Sequence, residues 1–207
     1  MKIDWKKDDK QFYLPATKPE FKNIPEFSFF TLEGKGNPND PFFANYITAL
    51  YAASYAVKMS PKSGKNPEGY LEYTVYPLEG VWDIDEEAKR LQLEVLDKDR
   101  LVFKLMMRQP DFLTDGDAAS LLDHAWNKKK EPLIREIKFE KITDGPSVQM
   151  LHIGSYDSEP DSFAQMEAFA AENKHIRLSK VHREIYLSDA RKVSPDKLRT
   201  VLRFKVR

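Results

Sequence analysis

The chain has 207 residues, and its 41% hydrophobic content with 13 Phe and 9 Tyr is ample for a packed core, in one large domain or two small ones. Lys+Arg 33 and Asp+Glu 33 cancel, so no basic field gathers phosphates and no direct nucleic-acid partner is expected. No run approaches the roughly 18 apolar residues of a membrane span, and Met1-Lys2-Ile3-Asp4-Trp5-Lys6-Lys7 lacks the apolar stretch of a signal peptide, so the expected location is the cytoplasm. Zero Cys removes disulfides and thiolate chemistry, and four His without a His-x-x-x-His pair argue against a catalytic zinc. No metal and no cofactor are expected.

Residues 1–26 are charged and punctuated by Pro15, Pro19 and Pro25 but carry Trp5, Phe12, Tyr13 and Phe21, which predicts an extended arm packed on the body. A strand at Phe27–Leu32 runs through Gly34-Lys35-Gly36, a turn without the spacing of a phosphate loop, to Asp40 and Pro41. Asp40 is a candidate cap for a helix over about Phe42–Met59 that sets Ile47, Leu50, Tyr51, Ser54 and Tyr55 along neighbouring faces. Two strands, Tyr70–Pro77 and Glu79–Ile84, are expected around a kink that presents Trp82. Asp85–Leu96 reads as helical or turn-like, and Leu101–Arg108 as a strand or buried segment.

Thr114 or Asp115 caps a second helix through about Lys130 that carries Leu121, Leu122, Ala125 and Trp126. Asp115 and Asp117 fit the start of that helix, and Lys128-Lys129-Lys130 fits its negative end, better than metal or ligand sites. A strand at Ile137–Ile142, a turn at Asp144-Gly145-Pro146 and a strand at Ser147–Tyr156 follow. Ser158 and Pro160 then open a helix to about Asn173, and strands at Val181–Leu187 and Thr200–Val206 close the chain.

The order β, α, β, β therefore occurs twice, over about 27–84 and about 147–207, with an insertion between. The expected fold class is α+β: a single domain over 27–207 built as a tandem βαββ repeat with pseudo-twofold symmetry, helices on one side and a central ligand groove on the other. In His182-Arg183-Glu184-Ile185-Tyr186-Leu187 the strand period sends Ile185 and Leu187 to one face and His182, Glu184 and Tyr186 to the other. A mid-strand carboxylate between an imidazole and a phenol is either a solvated outer face or a place where water or a ligand meets the sheet.

Several stretches resemble the GyrI-like family of small-molecule-binding domains, in its stand-alone form. They are Asp4-Trp5-Lys6-Lys7, Gly34-Lys35-Gly36-Asn37-Pro38, Ala49-Leu50-Tyr51 with Tyr55, Pro77-Leu78-Glu79-Gly80-Val81-Trp82, and Arg108-Gln109-Pro110-Asp111-Phe112. Gln149 with His152-Ile153-Gly154-Ser155-Tyr156 and the stretch His182–Asp189 complete the set. The chain departs from the pattern at Asp83, where a second aromatic is common, and over Asn173–Lys180, which lacks the glycine often found there. The resemblance implies the tandem fold and a central glutamate in an aromatic pocket, matched here by Glu184. With no helix-turn-helix segment ahead of the domain, a transcription regulator is not expected.

What the resemblance further implies is hydrolysis of electrophilic cyclopropanoid genotoxins, for cell protection. Opening a cyclopropane fused to a dienone needs a water activated by a carboxylate and a donor to the carbonyl oxygen as charge develops there. Glu184 suits the first role, and Tyr186, Tyr55, His152 and His182 are candidates for the second. Tyr51, Trp82, Met106 or Met107, Phe112 and Trp126 are candidate walls for a planar ligand. Packing roles compete: Tyr51 and Tyr55 suit core or wall equally, Trp126 sits among core leucines, and His152 shares phase with Met150. Two other functions stay open, a drug-sequestering module in which Glu184 is a counter-charge and a gyrase-inhibitor-like interaction protein.

Overall fold

The computed structural model describes residues 2–91 and 97–207, so the second half of the helical or turn-like reading, 92–96, lies outside the described residues. The chain divides into two compact units: Met1–Asp4, Phe27–Leu78 and Trp82–Ile142 in the first, and Trp5–Glu26, Glu79–Val81 and Thr143–Arg207 in the second.

In unit 1, strand β1 (Glu20–Lys35) runs antiparallel to β3 (Leu101–Arg108) with Phe29 opposite Arg108 and Gly34 opposite Phe103, and β3 is bonded on its other side to β2 (Leu78–Ile84). Helix α3 (Phe43–Lys58) lies between β1 and β2 in the chain and buries Ala49, Leu50, Ala53 and Val57. The tip of the Phe103 ring lies against Gly34, where an added Cβ would come within 2.5 Å of it, so a side chain at this position would displace the ring. Helix α4 (Glu86–Leu91) follows β2; helix α5 (Asp115–Lys129) packs on α3 and starts with a full capping box, in which Thr114 and Asp117 bond each other's backbone.

In unit 2, strand β4 (Lys138–Ile153), helix α6 (Glu159–Glu172) and strands β5 (His182–Tyr186) and β6 (Arg199–Lys205) follow in order. β6 is central, antiparallel to both neighbours, with Val148 opposite Phe204 and Glu184 opposite Leu202. Val148, Met150, Leu202 and Phe204 form one apolar face on which Met166 and Ala170 of α6 pack. Each unit is thus a βαββ module in which the first strand pairs with the third and the third with the second, the repeated plan that the sequence predicts.

The structure differs from that reading in five places. Tyr70–Pro77 is not a strand but makes a single bridge, Ile3 to Tyr73, because the Tyr73 ring is buried and its hydroxyl donates to the Ser54 carbonyl of α3. The third strand of the first module is therefore β3, drawn from the expected insertion. The arm is not extended throughout: α1 (Trp5–Asp8) and α2 (Lys10–Tyr13) are helical turns that pack Trp5 against Tyr13 with their rings tilted, and β1 begins at Glu20, before Pro25. No turn interrupts β4 at Asp144-Gly145-Pro146, since Gly145 takes φ 69° within a continuous strand. Finally, neither Asp40 nor Ser158 caps its helix by a side-chain bond; Ser158 bonds the Ser155 carbonyl instead.

Candidate functional site

Strand β5 presents its carboxylate as the alternation predicts. Glu184 Oε2 accepts from the Tyr186 hydroxyl at 2.8 Å, and Glu184 Oε1 lies 3.1 Å from His182 Nε2, whose other ring nitrogen faces the Lys180 carbonyl at 3.2 Å. The face is not a solvated outer one, because Glu184 is only 9% exposed. Within unit 2 it is also not opposite the helix. Glu184 stands across from Leu202, on the face that α6 covers, and Phe163 of α6 meets the His182 ring edge-on at 4.8 Å.

The missing member of the site is Glu159, the first residue of α6. It is 7% exposed, its Oε1 has no hydrogen-bond partner, and its carboxyl lies beside that of Glu184. Burial first, then the charge of Glu184, the bond to Glu184 and the charge of Asp157 push Glu159 up to about 9. The positive end of α6 opposes this, but such an end is worth about 0.3–2 kcal/mol, less than the several kcal/mol that removing a carboxylate from water costs. Burial beside a second carboxyl therefore favours the neutral form of Glu159. Tyr156, edge-on to Tyr186 at 6.2 Å, is pushed up to about 12 by burial and by Glu184, Glu159 and Asp189.

His152 is buried and fully engaged, with Nδ1 2.8 Å from Ser162 Oγ and Nε2 3.0 Å from the Ser155 carbonyl, the core histidine that its strand phase suggests. In unit 1, Trp82 is enclosed between Phe43 and Phe103, with ring centroids 5.9 Å and 5.5 Å away, and Met106 is fully buried. Phe112 packs on Tyr70 and Tyr73, and Trp126 lies under the Arg135 and Lys130 cations. Tyr51 and Tyr55 stack on each other at 6.4 Å with half or more of each ring enclosed. The structure therefore brings together Glu184, Tyr186 and His182, while His152 turns to serines and Trp82 and Met106 fill the core of unit 1.

The other face of β5 carries a second polar group that alternation alone does not reveal. Arg183 donates to Glu79 at 2.7 Å and to Asp144 at 2.9 Å, and Tyr13 donates to the second Glu79 oxygen at 3.0 Å. Arg203 bonds Asp144, Gln149 and the Phe12 carbonyl. Burial would raise Asp144, but Arg183, Arg203 and Lys205 outweigh it and hold the carboxyl below its ordinary range. With each carboxylate met by a guanidinium, this reads as a buried ion network, and Gln149, Arg203 and Glu79 tie residues 11–13 to it. A cleft of about 740 Å³ lined by Glu167, Ala170, His175, Ile176 and Arg177 lies toward the far end of α6 and does not include Glu184. Among the described residues no cluster of His, Asp and Glu is fit to hold a metal ion, and no helix is long and apolar enough to cross a membrane.

A helix-covered βαββ sheet with a buried glutamate held by a phenol and an imidazole defines a ligand-binding class of domain. The model of the GyrI-like small molecule binding domain matches residues 17–207, and the chain belongs to that family. It is similar to the crystal structure of a hydrolase from Listeria innocua, 33% identical, with a TM-score of 0.89 over 99% of this chain and 100% of that one. A further structure of a Listeria innocua hydrolase is 34% identical, with a TM-score of 0.90 over the whole of both chains. The C-terminal domain of EcmrR, 17% identical over 92% of this chain and 97% of that one with a TM-score of 0.52, shares the fold alone. No curated protein matches.

Proposed function

We propose that the protein binds planar hydrophobic small molecules at Glu184 and hydrolyses electrophilic cyclopropanoids. The observation that carries this reading is the buried Glu184 carboxylate, held between the Tyr186 hydroxyl and the His182 ring. The family and the name of the Listeria innocua hydrolases support it. In the proposed reaction the oxygen of water bonds to the cyclopropane methylene while the carbon–carbon bond to the ring breaks. The electron pair moves through the dienone to the carbonyl oxygen, which becomes a phenolate. Water's proton passes to Glu184, and a donor at the carbonyl oxygen, Tyr186 or His182, returns a proton to the phenolate. His152 is set apart because its bonds run to Ser162 and Ser155, whereas those of Tyr186 and His182 run to Glu184 itself, from which either donor recovers the proton it gives.

A placed general base contributes about 100-fold to 10,000-fold. Mass spectrometry of a cyclopropane-fused dienone incubated with the protein should show a product heavier by one water, and Glu184→Gln should slow its formation by that factor. Recovery of the intact compound, bound by the wild-type protein but not converted, would replace the hydrolase by a sequestering module. Equal turnover by both proteins would remove Glu184 from the mechanism.

A further inference from the structure

We propose that Glu159 is the positioning residue of this site: the Glu159–Glu184 pair holds one shared proton, kept on Glu159, which fixes Glu184 as a single buried negative charge. This rests on Glu184 being the working carboxylate of the proposed function. Both carboxyl groups are buried, Glu159 Oε1 has no hydrogen-bond partner, and both oxygens of Glu184 are met by Tyr186 and His182. Two ionised carboxylates in contact with so little water repel, whereas a protonated Glu159 donates to Glu184 and adds to the bonds that orient it. One oxygen of Glu159 faces no partner, which a neutral acid tolerates far better than an anion.

The groups facing Glu159 explain why no counter-charge relieves it. Glu184 faces it from β5, and Asp157 acts on it from the turn before α6, both negative. Tyr156, from the same turn, is neutral below about 12. Among the described residues no cation is among the groups that shift Glu159, while His182 lies against one oxygen of Glu184. The site thus presents one negative charge at neutral pH and two once the shared proton is lost. A neutral electrophile or a planar monocation suits the first state. In the second, a water made basic by Glu184 must be desolvated beside an additional charge, and Glu184 loses a donor that holds its orientation. Turnover should therefore fall on the alkaline side as Glu159 ionises.

Infrared difference spectroscopy on the full chain tests the proton directly, without requiring turnover. The wild-type protein should show the carbonyl stretch of a protonated carboxyl at neutral pH, lost on titration well above the ordinary range of glutamate. Glu159→Gln should remove that band. Glu184→Gln should keep it and move its midpoint down, because the neighbouring charge is gone. In turnover of the cyclopropane-fused dienone, the alkaline fall of kcat should follow the band in wild type and vanish in Glu159→Gln, which cannot ionise. A band absent at neutral pH, or unchanged in Glu159→Gln, overturns the proposal, as does an alkaline fall of kcat that persists in that variant. If the wild-type protein fails to hydrolyse the dienone, the proposed function fails. The proton is then judged on the band and on its shift in Glu184→Gln.

Discussion

Phe43 opens α3 and meets Trp82 of β2; Glu159 opens α6 and meets Glu184 of β5. The two units use the same strand order, and in each the first residue of the covering helix touches the second strand of the module. In unit 1 the contact is aromatic, worth about 0.5–1.5 kcal/mol beyond the area it buries. In unit 2 it is a pair of carboxyl groups, which costs stability unless one of them keeps its proton. One module is packed for stability where the other buries two carboxyl groups beside each other, the kind of arrangement that shifts a group's titration.

The largest expected effect tests the packed side. Trp82→Ala should cost about 3–5 kcal/mol in urea unfolding, the range for a large aromatic lost from a core; a cost under 1 kcal/mol would mean that unit 1 is not the stabilising partner in the comparison. Arg183→Met separates the two faces of β5. It should cost about 3–5 kcal/mol by leaving Glu79 and Asp144 without their shared cation, yet leave the His182–Glu184–Tyr186 bonds in place. Thermal unfolding and the infrared carboxyl band together check this, and a lost band would show that the faces are not independent.

Glu159→Gln sharpens the comparison through pH. The folded value of Glu159 lies above its ordinary 4.5, so below that value the group is protonated whether the chain is folded or not. From there up to about 9 the unfolded chain sheds the proton that the folded chain retains, and stability falls by at most about 1.4 kcal/mol per pH unit. Relative to wild type, Glu159→Gln should therefore gain stability as pH rises through that window, measured by urea midpoints at several pH values; parallel curves would refute the buried proton. The smallest effect is a control in unit 1. Thr114→Ala removes half of the capping box and should cost about 1 kcal/mol without any pH dependence in the alkaline range.

Much of this was legible in the chain. The helical periods of α3 and α5, the Thr114 cap and the alternation of His182, Glu184 and Tyr186 each depend on residues close in sequence, and each stands in the structure where the local rule puts it. Tyr70–Pro77 failed because its β-forming residues are used to pack Tyr73 on α3 rather than to pair a strand. Asp144-Gly145-Pro146 failed because turn-forming residues were read without the neighbour β6, which pairs with β4 from Ser147 onward.

What only the tertiary structure decided is which distant groups meet. Glu159 stands at a helix start, where by local rules solvent and the helix dipole would keep it charged. Packing α6 on β4 and β6 instead lowers it onto Glu184 and shuts out water. Arg183, Asp144 and Arg203 likewise look like surface charges until the register of β4, β5 and β6 turns them to one interior. Local sequence determines which way a side chain points from its own element, because backbone geometry repeats every few residues. The charge state of a group depends on the dielectric and the charges within a few ångströms, and those are supplied by segments that sequence proximity does not specify.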